Sequence, residues 1–145
     1  MPHTILIVDD DPHMRWALAT NLEDEGFVPH AFAGGAEALK SLDEGGDAAA
    51  VLLDWQMPEM NGLDVLRSLR EQGHRLPVIF LTGHSLPGRR EVAMACGAAA
   101  FLDKMKSFST VLHYLHLALS DTADAPEPPP PFVTAAPAVG VQGRS

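Results

Sequence analysis

The chain has 145 residues, 46% of them apolar, and a net charge of −9, which leaves room for one domain with a sizeable core and too little for two ordinary ones. Binding to a phosphate backbone draws most of its affinity from clustered Lys and Arg, so this charge argues against direct contact with nucleic acid. No stretch approaches the roughly 18 consecutive apolar residues of a membrane span. Cys96 is the single cysteine, and Met1-Pro2-His3 runs straight into a strand-like segment without a leader, so a soluble protein of the reducing cytoplasm is expected.

Short apolar runs at Thr4–Val8, 27–32, Ala50–Leu53, 78–81 and 99–102 read as strands, and the amphipathic stretches between them as helices. The first helix opens with Asp11 at the N-cap and Pro12 at its first position, aligns Met14, Leu18 and Leu22 on one face, and closes at Gly26. Ala36, Leu39 and Leu42 mark the second helix, and Leu63, Leu66 and Leu69 the third, entered through a turn at Asn61-Gly62. Residues 88–96 form the weakest helix, its apolar content mostly Ala with Val92 and Met94, and Val111, Leu112, Leu115 and Leu119 mark the last. Six of the twelve prolines follow residue 120, so 1–120 reads as the domain and 121–145 as a Pro/Ala-rich disordered tail or linker. Five β-α pairs whose strands are apolar throughout imply a doubly wound parallel α/β sandwich. Ligands of such sheets bind beyond the carboxyl ends of the strands.

Those ends carry Asp9-Asp10-Asp11 after strand one, Asp54 after strand three, Thr82 after strand four and Asp103-Lys104 after strand five. Carboxylates crowded within a few ångströms raise one another's pKa unless a cation offsets them, and hard oxygen ligands suit magnesium, or manganese in its place. With a metal on Asp10 and Asp54, one Asp54 oxygen is free to attack phosphorus and form an acyl phosphate. Lys104 supplies a further positive charge, and the Thr82 hydroxyl a hydrogen bond to a phosphoryl oxygen. Singly these residues have blander readings: a capping cluster at Asp9–Asp11, a strand residue at Thr82, a solvated charge at Lys104. Their joint placement makes them a site, with Asp11 kept as the cap.

The stretches Ile-Leu-Ile-Val-Asp-Asp-Asp, Leu-Leu-Asp-Trp-Gln-Met-Pro-Glu-Met-Asn-Gly, Val-Ile-Phe-Leu-Thr-Gly and Gly-Ala-Ala-Ala-Phe-Leu-Asp-Lys resemble the motifs of bacterial two-component receiver domains over about residues 3–120. The resemblance implies a flavodoxin-like strand order 2-1-3-4-5. It also implies an acidic pair at Asp9 and Asp10, a phosphoacceptor at Asp54, a metal ligand in the Gln56 backbone carbonyl, and a switch hydroxyl and phosphate-binding lysine at Thr82 and Lys104. Phe101 becomes the switch aromatic. The donor is then a sensor histidine kinase or phosphotransfer protein, and the output a change of protein partner at the surface of helix four, strand five and helix five. Phosphorylation-dependent homodimerisation through that surface is left open. Such a chain is a switch that catalyses its own phosphorylation and dephosphorylation, and not an enzyme in the usual sense.

One departure from the pattern is Met105, where most receivers have a cis proline after the lysine; Lys106 stands close enough to compete for the phosphate-contacting role. His84, two residues beyond Thr82, is placed to tune water access to an acyl phosphate, while His113 and His116, one turn apart, read as a surface pair. The rival readings are a receiver fragment of a winged-helix DNA-binding regulator, an unphosphorylated docking module, a phosphohydrolase and a flavodoxin-like cofactor carrier. Gln56 stands where the phosphohydrolase needs a second acid, and three aspartates stand where the cofactor carrier needs a Ser-, Thr- or Gly-rich loop.

Overall fold

A strand that is apolar at every position must be covered on both faces, and the computed structural model of the chain, which describes residues 3–83, 87–104 and 107–120, shows how this is done. The elements alternate as β1 (Thr4–Val8), α1 (Pro12–Asp24), β2 (Val28–Phe32), α2 (Gly35–Asp43), β3 (Ala50–Leu53), α3 (Gly62–Glu71), β4 (Val78–Thr82), α4 (Arg89–Ala95), β5 (Ala100–Asp103) and α5 (Phe108–Ser120). All strand pairs are parallel, in the order β2-β1-β3-β4-β5. This is the expected doubly wound sandwich. Because side chains alternate along a strand, Ile5, Ile7 and Leu52 pack under Leu18 and Leu22 of α1 and Val111 and Leu115 of α5. Leu6, Val8 and Leu53 face the other way, toward Leu39 of α2 and Val65 and Leu66 of α3. The central strands are buried, whereas β2, at the edge, is largely exposed and carries Pro29, which offers no N–H to an incoming strand.

Local chemistry sets the element ends. Asp11 is extended and accepts the His13 N–H through its side chain, with Pro12 following, as the sequence predicts. The Asn61 side chain caps α3 by accepting the Asp64 N–H at 2.9 Å. Some expectations need correcting. Leu39 and Leu42 of α2 are buried as expected, but Ala36 is exposed, and Gly35 and Ala38 complete the inward face in its place. Residue 27 precedes β2 rather than beginning it, residue 99 precedes β5, and Thr82 belongs to β4. In α4 the buried residue is Ala93, while Val92 is 41% exposed. His113 and His116 are both exposed, each beside an aromatic ring, Tyr114 and Phe27 respectively. No helix among the described residues is long and apolar enough to cross a membrane. The predicted tail, His84, Met105 and Lys106 lie outside the described residues.

Candidate functional site

β1 has β2 on one side and β3 on the other, so the chain reverses its direction of winding there and opens a crevice at the carboxyl ends of β1 and β3. Hydrogen bonds that continue past the strands fix what stands in it. The Asp9 N–H donates to the Phe32 carbonyl at 3.1 Å, the Asp54 N–H to Val8 at 2.9 Å, and the Lys104 N–H to Thr82 at 2.9 Å. Asp9 and Asp54 are thereby set side by side, with Lys104 over them: its Nζ is 2.9 Å from Asp9 Oδ2 and 3.2 Å from Asp54 Oδ2. Asp9 and Asp54 are buried, and Asp10 is exposed. One carboxylate oxygen from each of these three lies within 4.8 Å of the other two.

The remaining oxygens are partly committed. Asp9 Oδ1 accepts the Asp11 N–H at 2.9 Å, and the Asp9 carbonyl accepts Arg15 Nη1 at 2.7 Å. Asp54 Oδ1 has the Gln56 N–H at 3.4 Å, which puts Gln56 beside Asp54 although its side chain is exposed. Burial, and after it the charge of Asp9, push the Asp54 carboxyl up to about 6, against the pull of Lys104 and the Gln56 N–H. Burial alone lowers the Lys104 ammonium, but its hydrogen bond and charge interaction with Asp9, and then Asp54, outweigh this and hold it above its ordinary value. One ammonium among three carboxylates leaves the crevice net negative, and a hard divalent cation fits that oxygen donor set. Beside Asp10 a groove of about 630 Å³, walled by Gly34, Glu37, Met57, Pro58 and Met60, leads to solvent.

Of the other predicted residues, Thr82 is buried at the end of β4, in register with Asp103. Phe101 is 1% exposed and lies in an aromatic cluster, its ring centroid 5.9 Å from both Trp55 and Phe80. Sequence reasoning assigned no task to Gly62, yet a Cβ there would stand 2.5 Å from the Asp54 carbonyl oxygen and 2.7 Å from Phe80 Cε1. The sequence signal was the Asn61-Gly62 turn entering the helix, which the structure begins at Gly62 itself. The Trp55 ring and the Arg15 contact were likewise unassigned.

Comparison with known proteins agrees with this geometry. The family described as the response regulator receiver domain matches residues 5–116. Response regulator MprA of Mycobacterium sp. (strain KMS) is 34% identical over 134 residues, which are 92% of this chain and 58% of that protein. The putative response regulator NtrX-like of Rickettsia conorii is 38% identical over 101 residues, 69% of this chain and 21% of that protein. The chain thus spans between about a fifth and three-fifths of these relatives. Among solved structures, chemotaxis protein CheY4 of Vibrio cholerae superposes with a TM-score of 0.76 at 27% identity, covering 82% of this chain and all of that one. Fold, strand-end residues and family match converge, and the chain belongs to the response regulator receiver domains of two-component systems.

Proposed function

We propose that Asp54 accepts a phosphoryl group from the phosphohistidine of a sensor kinase or phosphotransfer protein, and that the chain works as a switch rather than turning over a separate metabolite. The observation that carries this reading is Lys104 Nζ seated between Asp9 and Asp54 in a crevice that holds three carboxylates. An Asp54 oxygen forms the new O–P bond as the P–N bond to the donor breaks and the imidazole leaves. Asp9, Asp10 and Asp54, with the Gln56 carbonyl, would hold magnesium or manganese. A cation bound there supplies charge that offsets both the carboxylates and the transferring phosphoryl oxygens. Lys104 exchanges its contact with Asp54 for a phosphoryl oxygen, and the Thr82 hydroxyl donates to another. Movement of Thr82 toward the phosphoryl group favours the inward position of Phe101, which the ring occupies in this structure. The surface of α4, β5 and α5 then changes for an output partner. A relative from Proteus hauseri, 33% identical, is named as a DNA-binding transcriptional regulator. The net charge of −9 makes a DNA-directed output one that a basic partner or domain would deliver.

The test is intact mass after incubation with magnesium and a small-molecule phosphodonor, for the native chain and Asp54→Ala. Gain of one phosphoryl group by the native chain alone, lost on standing, supports the reading. Equal labelling of the two removes Asp54 as the acceptor. No labelling of either, with Trp55 fluorescence indifferent to magnesium, favours an unphosphorylated docking module.

A further inference from the structure

Trp55 lies between Asp54 and Gln56, and its backbone is tied to the site at both ends. Its carbonyl accepts the Gly62 N–H at 2.7 Å, and the next N–H, that of Gln56, is 3.4 Å from Asp54 Oδ1. Its ring belongs to the core face that Val51 and Leu53 share, 8% exposed, with centroids 5.2 Å from Phe80 and 5.9 Å from Phe101. The ring and the Asp54 carboxylate thus belong to consecutive residues of one hydrogen-bonded segment. Two cations close the cluster from above: Arg89 Cζ is 5.3 Å from the Trp55 centroid, and Arg90 Cζ is 5.9 Å from that of Phe101. Both arginines belong to the first turn of α4.

A guanidinium is planar and weakly hydrated, so it stacks on an aromatic face where an ammonium would stay in water. Arg89 Nη1 is buried without a hydrogen-bond partner among the described residues, which leaves the Trp55 ring as its visible anchor. The helix otherwise buries Ala93 and packs the partly buried Met94 on the core, both beyond its first turn, where the stacks lie. We propose that Arg89 is a positioning residue for Asp54, acting through the Trp55 ring. With Arg90 on Phe101, it latches α4 to the aromatic cluster and holds the switch ring inward. The inference rests on the reading of Asp54 as phosphoacceptor. It adds a route from the site to α4 that runs through Trp55 beside the one through Thr82. Phosphorylation and the inward arrangement favour each other, so loosening the latch makes the phosphoryl group harder to accept.

The experiment uses a Trp16→Phe parent, because Trp16 is 71% exposed and would mask the buried reporter. Arg89→Met and Arg89→Lys are compared with it for acrylamide quenching of Trp55 and for the rate of phosphoryl gain, read by intact mass with magnesium and a small-molecule phosphodonor. Arg89→Met is expected to raise the quenching constant and to slow phosphoryl gain about threefold to tenfold, with Arg89→Lys recovering part of the rate. Increased quenching with an unchanged rate would make Arg89 a mere cover and overturn the proposal, as would no change in either. If the Trp16→Phe parent gains no phosphoryl group, the acceptor reading is what fails. The latch is then judged by the magnesium response of Trp55 fluorescence, which Arg89→Met must alter for it to survive.

Discussion

Helix α1 runs for 13 residues from an Asp11 side-chain cap and anchors itself with Leu18 and Leu22. Helix α4 runs for 7 from Gly88, whose φ of +87° suits glycine, has no side-chain cap, and buries Ala93. The half of the domain from β1 to α3 is packed mostly by aliphatic side chains and supplies the three aspartates of the crevice. The strands β4 and β5 also bury Val78, Ile79, Leu81 and Leu102, but the helix between them, α4, is seated by Ala93, the partly buried Met94 and two arginines stacked on the Trp55 and Phe101 rings. A switch needs one part that keeps its geometry and another whose alternatives differ by little free energy, and the contrast in packing supplies both. The sharpest way to break this comparison is in the β1-to-α3 half. Leu66, fully buried on α3, should cost about 2–5 kcal/mol when replaced by Ala, measured by urea denaturation. A cost below about 1 kcal/mol would show that the β1-to-α3 half is no more tightly packed than α4.

Within the crevice the Asp54 carboxylate works against stability, whereas Lys104, held above its ordinary value, favours it. The Asp54 carboxyl is raised to about 6, above its ordinary 3.8, so between those values the folded chain binds more protons than the unfolded one. Stability therefore falls as pH rises through this window, and above it the ionised group carries its full cost. Asp54→Asn should accordingly stabilise the domain at pH 7.5 by on the order of 2 kcal/mol, a rise of several degrees in melting temperature, and the gain should vanish below about pH 4. A gain that persists in acid would assign the effect to packing rather than to the buried charge.

How much of this was legible in the sequence follows from range. Strands apolar throughout, the Asp11-Pro12 start and the placement of Asp9, Asp54, Thr82 and Lys104 at strand ends are local signals, and the sheet brings Asp9, Asp54 and Lys104 into contact. Leu39 and Leu42 of α2 were read correctly, but Ala36 was misplaced because Ala36 and Ala38 are equally apolar, and only packing against β1 and α3 decides which one turns inward. Gly62 was passed over because its role is steric: the Asp54 carbonyl and the Phe80 ring that crowd it are 8 and 18 positions away in the chain. The arginine stacks escaped for the same reason, since neither Arg89 nor Arg90 matches any motif and each finds its ring only in the folded state.

The smallest expected effect probes α4. Val92 is one of the few large apolar residues of α4, yet it is 41% exposed while its neighbour Ala93 is fully buried. Replacing Val92 by Ala removes little buried area and exchanges a β-branched residue for the best helix former, so the two terms oppose each other. The change in unfolding free energy should stay within about 0.5 kcal/mol of zero. A loss above about 1 kcal/mol would mean that α4 presses Val92 into the fold. Its seat would then be aliphatic like that of α1, and the difference between the two halves would lie in length rather than in the kind of contact.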